Sequence, residues 1–384
     1  MRRFLALLLA LCVAGPAAAQ TQGVGDDEIV LGTHQDLSGP LKLWGTPVRN
    51  GMQMAVDEIN AKGGIHGRKL RLVVADSGYD PKRAVLATEK LLIEDKVFAM
   101  VGQMGTPTVT AAMPLVLKHN VPHLFPQSAA VQMYEPFDRL KFSLFTPYIM
   151  QSRAGTGYFI KERGKKAVCA VHQDDEFGLN VLHGAEQAVA SNGLKVVVAA
   201  SFKRGTTDFA SQIARLRADG CDLVVMGTIV RATIAAMTET RKIGWEVDMM
   251  GTAAAFTPEV AILGKDAVEG FYAAGQTPIP YADTADDEVK AWMTAYKSMF
   301  EDDANVQAAA GYDAVMVTAL GLENAGRDLT VDRFIAGLEQ VKGWRDKFGA
   351  PPVSFGPNRR LATEEAILSV IRDGRWELVT TGLR

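Results

Sequence analysis

Ala55-Val56-Asp57-Glu58-Ile59-Asn60-Ala61-Lys62-Gly63-Gly64-Ile65-His66-Gly67-Arg68-Lys69-Leu70 carries the end of a helix, its stop and the start of a strand in one unbroken run. Upstream, Val48 and Met52 extend the apolar series of Ala55, Val56 and Ile59 at helical spacing, so one face of this helix packs on a sheet. Gly63-Gly64 supplies the C-terminal stop, and the β-branched run 70–76 follows as a strand. Working outward, residues 29–33 read as the strand before the helix, and Asp80-Pro81 as an N-cap with proline at the first helical position, starting a helix towards Glu94. Further strand patterns fall at 98–102, 123–125, 167–171, 196–201, 222–227 and 249–251, separated by helical patterns. Such alternation predicts α/β layers with parallel sheets. The series restarts near Tyr148, after a short segment at 140–146, and no Pro- or Ser-rich tether intervenes, so two Rossmann-like lobes with embedded crossings are the economical reading. Periodicity leaves open which lobe the later helices, 286–300 and 305–323, cover.

A chain of 384 residues is long enough for two or three domains, and 48% hydrophobic with 22% charged residues describes a globular protein. Residues 1–19 read as a secretory signal peptide: Arg2 and Arg3, the apolar run 4–14, then Ala17-Ala18-Ala19 before Gln20. That run is too short to span ~30 Å of hydrocarbon at ~1.5 Å per residue, and Cys12 follows Leu11 rather than a small residue, which argues against a lipoprotein site. Cleavage after Ala19 removes two arginines and no acid, leaving 39 cationic residues against 44 acids and a formal charge of −5. An acidic balance argues against nucleic acid as a partner, since phosphate binding needs a basic stripe. The expected product is exported and free of the membrane. Cys169, inside one apolar strand, and Cys221, at the opening of another, read as buried free thiols rather than a disulfide.

Four strand ends carry candidate chemistry. Gln103-Met104-Gly105-Thr106-Pro107 follows the strand at 98–102 and opens a helix, with Thr106 as N-cap and Pro107 as first helical residue. A helix N-terminus there offers backbone donors, a dipole and a hydroxyl to a carboxylate, although Thr106 capping its own helix is the plainer alternative. Gln127-Ser128-Ala129-Ala130 follows the strand at 123–125, where open α/β sheets bind ligands. Trp44, in the loop after the first strand, is either an aromatic lid or a core residue, and Phe177, in Asp174-Asp175-Glu176-Phe177-Gly178, is a second cleft aromatic. The sequence holds no Gly-x-Gly-x-x-Gly, no phosphate-binding loop and no Gly-x-Ser-x-Gly elbow. His119 and His123 have metal-pair spacing, but Pro122 breaks the helix that would align them, so no metal, no cofactor and no enzyme activity are expected.

Ile29-Val30-Leu31-Gly32, Leu37-Ser38-Gly39-Pro40, the stretch from Ala55 to Leu70 and Asp76-Ser77-Gly78-Tyr79-Asp80-Pro81 together resemble the leucine/isoleucine/valine-type periplasmic binding proteins. Similarity runs from about Glu28 to about Gly275 and thins afterwards. The resemblance implies two lobes joined by three crossings, here 26–147 plus 277–353 and 148–276 plus 354–384, which close over one small ligand. It also implies a monomeric, non-enzymatic periplasmic receptor that delivers its ligand to the permease and ATPase subunits of an ABC importer. In that family a Ser/Thr at the position of Thr106 and groups on the next strand end, here Gln127, Ser128 and Ala129, grip the ligand carboxylate, while an aromatic at the position of Trp44 covers it.

Departures from the family pattern shape the expected ligand. Where amino-acid-binding members carry an acid for the ligand ammonium, this chain has Thr252-Ala253-Ala254-Ala255. Phe177 stands where a tyrosine is common, and Thr228-Ile229 follows Gly227. The family's cysteine pair in the first lobe is replaced by Tyr79 and Gly105. Burying an unpaired ammonium costs several kcal/mol, enough to abolish micromolar binding. The expected ligand is therefore a hydrophobic or aromatic carboxylate without an α-amino group, with Gln127, Gln151, Tyr148 and His34 available for a ring substituent. The rival readings are an amino acid or amide ligand, with Asp174 or Glu176 as substitute countercharge, and a sensory module for a membrane receptor.

Overall fold

In a computed structural model that describes residues 21–384, the opening stretch folds as read: β1 (Glu28–Gln35), α1 (Lys42–Ala61) and β2 (Lys69–Asp76) form one β-α-β unit with its strands parallel. The chain leaves α1 through Gly63 and Gly64, both at positive φ, and the Gly64 Cα lies so close to the Arg68 carbonyl that a side chain there would collide with it. The Asp80 carboxylate accepts the Arg83 N–H at the start of α2 (Pro81–Ile93), as the Asp-Pro pair predicts. The expected signal segment lies outside the described residues.

The first sheet, in the order β2-β1-β3-β4-β5, adds β3 (Ala99–Val101), β4 (His123–Leu124) and β5 (Lys141–Phe142), every pair parallel. Between β3 and β4 runs α3 (Thr106–Lys118). After α4 (Tyr148–Arg163) the rhythm repeats: β6 (Val168–Gln173), α5 (Glu176–Ser191), β7 (Ala199–Phe202), α6 (Ala210–Ala218), β8 (Leu223–Gly227), α7 (Val230–Lys242), β9 (Asp248–Thr252), α8 (Pro258–Gly264) and β10 (Tyr272–Gly275). Then come α9 (Asp287–Phe300), α10 (Val306–Ala325) and α11 (Val331–Glu339), before β11 (Ala366–Arg372) and β12 (Arg375–Leu383) complete the second sheet in the order β12-β11-β10-β9-β8-β6-β7.

The expectation of parallel sheets needs one amendment. β11 pairs antiparallel with β10, and β12 pairs antiparallel with β11, the latter because the two residues between them are Asp373 and Gly374, both at positive φ, the turn that closes a tight hairpin. The lobe of the later helices is also decided. α10 packs along α1, where Gly51 faces the Ala308 carbonyl and Gly311 faces the Val48 carbonyl too closely for any Cβ. α10 therefore covers the first sheet although it follows the second in sequence. The chain passes between the sheets three times, after β5, after β10 and before β11.

The reading of Cys169 and Cys221 as free thiols is overturned. They form a disulfide with Cα atoms 5.8 Å apart. Cys221 lies just before β8 rather than within it, and β8 pairs directly with β6, with Cys169 opposite Val224, so 52 residues of sequence fold back to bring the two sulfurs together.

Candidate functional site

Trp44 lies in the first turn of α1 rather than in the loop as read, and the loop that precedes α1 fixes that turn. The Asp36 carboxylate accepts the N–H groups of Ser38, Gly39 and Leu41, and Gly45 lies against the Asp36 backbone where a Cβ would meet its carbonyl oxygen at 2.0 Å. On the next strand end, Gly105 at φ 88° is the N-cap of α3, and a Cβ there would meet the Tyr79 ring at 2.5 Å. Thr106 is thus the first helical residue, one position later than read, and caps nothing. Its hydroxyl is instead 2.7 Å from the Ser128 hydroxyl, and the Tyr148 hydroxyl lies within hydrogen-bond reach of it. Burial pushes the Tyr148 phenol up to about 12, so it stays a neutral donor. Three hydroxyls and the first turn of α3, whose N–H groups lack intrahelical partners, converge at one end of the cleft.

Around them the lobes enclose a cavity of about 20 Å³, lined by Leu41, Trp44, Tyr79, Met104, Gly105, Thr106, Gln127, Tyr148, Phe177, Ile229 and Ala254. That is room for about one water, so a larger solute enters only as the lobes part. A second cavity of about 60 Å³ shares Trp44 and is lined by Ala253, Phe145, Phe256, Gln276, Ala309, Ala310 and Asp313 among others. Trp44, Thr106, Gln127, Tyr148, Phe177 and Ile229 thus meet as read, with the Phe177 ring edge-on to Tyr148 at 4.9 Å. The amide atoms of Gln127 and the indole Nε1 of Trp44 are buried with no hydrogen-bond partner.

Other expected site residues face elsewhere. Gln151 lines neither cavity: its amide donates to the Thr146 carbonyl and accepts the Ala253 N–H, so its polarity serves the backbone. The Thr228 hydroxyl is paired with that of Thr233 at 2.7 Å, and Ala129 contributes its carbonyl to the Tyr148 N–H at 2.7 Å rather than a cavity wall. Ser128 reaches the site through Thr106. His34 is fully buried on β1, both ring nitrogens unpartnered, and burial holds its pKa down at about 4. Asp174 and Glu176 line neither cavity; Asp175, between them, pairs with Arg204 at 3.4 Å and accepts from Gln173. No acid lines the first cavity, and Asp313 is the acid on the second.

The reading missed Tyr79, Leu41, Met104, Gly105 and Ala254 on the first cavity. Tyr79 was reachable, because the loop after β2 obeys the same strand-end rule as those after β3 and β4. Its ring lies under the Arg204 guanidinium of the second lobe at 5.1 Å, and burial raises its phenol well above the ordinary range. Among the described residues no group of three or more His, Cys, Asp and Glu side chains is placed to hold a metal ion, and no helix is long and apolar enough to cross a membrane.

With two α/β lobes and a cleft between their strand ends in view, the sequence profile described as periplasmic binding protein matches residues 28–375. The chain belongs to the periplasmic binding protein family. The resemblance read from the segment between Ala55 and Leu70 is thereby confirmed. A leucine-, isoleucine-, valine-, threonine-, and alanine-binding protein of Pseudomonas aeruginosa is 27% identical over 326 residues, 85% of each chain. Among solved structures, a fatty acid ABC transporter substrate-binding protein from Thermomonospora curvata superposes with a TM-score of 0.84 at 23% identity, covering 95% of this chain and 94% of its own. An ABC transporter solute-binding protein from R. palustris in complex with benzoate superposes with a TM-score of 0.81 at 16% identity, covering 93% and 96%. At these identities the two structures speak for the fold.

Proposed function

We propose that this protein is the periplasmic solute receptor of an ABC importer and that it binds a small hydrophobic or aromatic carboxylate lacking an α-amino group. The observation that carries the reading is the asymmetry of the first cavity: hydroxyls of Thr106 and Tyr148 at the start of α3, with Ser128 paired behind Thr106, then Phe177, Ile229, Met104 and Ala254, with no acid on the wall. A carboxylate docks at the hydroxyl end, where the helix dipole favours an anion, and an apolar body meets the second lobe. An ammonium would be buried unpaired. The lobes, 26–147 plus 277–353 and 148–276 plus 354–384, close as rigid units about the three crossings, and the closed monomer presents itself to the permease and ATPase subunits. No step of this cycle changes a covalent bond.

The test is a thermal-shift and calorimetry screen of ligand-free mature protein against leucine, phenylalanine, their deaminated counterparts and benzoates. Ligand at one hundred times its Kd adds about 2.7 kcal/mol of stability. Shifts with the deaminated acids alone are the expected result. A second reading, an amino acid ligand, is favoured by the name of the Pseudomonas aeruginosa relative and by Asp313 on the second cavity. Shifts with leucine that vanish in Asp313→Asn would establish that reading and sink the first.

A further inference from the structure

Trp44 is the one residue common to the walls of the two cavities, and the consecutive Ala253 and Ala254 divide between them. Its indole Nε1 is buried without a partner, so nothing but packing holds the ring in this partition. Beyond it, one wall is built by Val306, Ala309, Ala310 and Asp313 of α10, at i, i+3, i+4 and i+7. That is one helix face roughly 10 Å long at 1.5 Å per residue, and alanine at its two central positions keeps it low. Phe145 and Phe256 make the chamber apolar.

One end differs in chemistry. The Asp346 carboxylate accepts the N–H groups of Phe348, Gly349 and Ala350 at 3.0, 2.9 and 3.0 Å, which fixes it in place. Asp313 lies within hydrogen-bond reach of it, and burial together with the Asp346 carboxyl pushes the Asp313 pKa up against the opposing pull of Lys347. A second carboxylate arriving here would meet the Asp313 carboxyl on the wall, with Asp346 behind it and no cation lining the chamber.

We propose that the two cavities are halves of one site, so that the ligand is a monocarboxylate whose apolar chain runs past Trp44 into the second chamber, while Asp313 and Asp346 exclude dicarboxylates of the same length. This rests on the docking of the carboxylate at Thr106 argued above.

Calorimetry on the mature protein with benzoate, phenylacetate, 4-phenylbutanoate, octanoate and octanedioate separates the possibilities. Affinity should rise about fourfold per added methylene, and octanedioate should bind at least about 100-fold more weakly than octanoate. Ala310→Phe, which fills the chamber, should weaken 4-phenylbutanoate by about tenfold or more and leave benzoate within about twofold. Ala310→Leu is the milder filling should the phenylalanine variant fail to fold, and the chain-length series needs no variant. Benzoate binding with no gain from added methylenes, or equal losses for short and long acids in the filled variants, overturns the shared site. Equal affinity for octanoate and octanedioate overturns the role given to the acid pair. If no acid of any length binds, the carboxylate reading itself falls and takes this inference with it.

Discussion

Thr106 shows how one position of helix register changes the meaning of a side chain. As an N-cap its hydroxyl would be spent on its own helix; as the first helical residue behind Gly105 it is directed at Ser128 and Tyr148. Thr106→Ala should weaken every carboxylate ligand by about 1 to 3 kcal/mol, with Thr106→Ser restoring most of the loss, as read by calorimetry. An unchanged affinity in the alanine variant would remove this hydroxyl from the carboxylate end. Gln151 teaches the opposite lesson. Its polarity suggested a ligand contact, yet both ends of its amide are engaged by backbone at Thr146 and Ala253, so Gln151→Leu should lower the melting temperature first and affect affinity through hinge geometry.

Strand-end loops of the two lobes touch each other directly. Arg204, after β7, stacks on Tyr79, after β2, donates to its carbonyl and pairs with Asp175. A second contact joins α5 to the segment after β4, where Asn180 accepts the Val131 N–H at 2.8 Å and donates to Gln132. These contacts favour closure whatever solute is bound. Arg204→Ala should therefore lower affinity for all ligands by a similar factor, roughly fivefold for about 1 kcal/mol of cation–π stacking, and raise the radius of gyration of the ligand-free protein in solution scattering. A loss confined to one ligand would mean that Arg204 reads the solute. The disulfide belongs to this level too: closing 52 residues between β6 and β8 stabilises the second lobe by about 4 kcal/mol in the chain-entropy treatment. The unreduced, unfolded protein should show no free thiol, and Cys169→Ala/Cys221→Ala should melt well below the parent.

Across the molecule, Thr146 laces the three crossings together. Its N–H donates to Gln276 at 2.7 Å and its hydroxyl to the Glu365 carbonyl, while Ser143 exchanges backbone bonds with Arg360 and Ala362. Two histidines of the first lobe make stability depend on pH: His34 and His123 are wholly buried, and burial holds their pKa values down at about 4 and about 3. Both are neutral in the folded state and take up protons first in the unfolded one, so stability is complete above the ordinary histidine pKa and falls as pH drops towards those values. For His34 alone the change amounts to about 3 kcal/mol. Urea midpoints at pH 7, 5.5 and 4 should fall in that order, and His34→Gln should flatten the fall. A midpoint independent of pH in the parent would contradict the buried neutral pair.

Much was legible in the chain because it depends on neighbours in sequence. The helix stop at Gly63-Gly64, the Asp80-Pro81 cap, the strand–helix alternation and the strand-to-helix turn at Gly105-Thr106 follow from φ preferences, side-chain periodicity and helix-end chemistry, all of which act within a few residues. The Asp373-Gly374 hairpin was equally local and went unread. What periodicity does not carry is which buried face meets which. The pairing of β6 with β8 that joins Cys169 to Cys221, the return of α10 to α1 through Gly51 and Gly311, and the contact of Tyr79 with Arg204 arise from strand order and three passages of the chain between sheets. Trp44 stood in the sequence as lid or core; its place as a partition between two chambers exists only once α1, α10 and the second lobe are packed around it, because a cavity is a property of the surfaces that fail to touch.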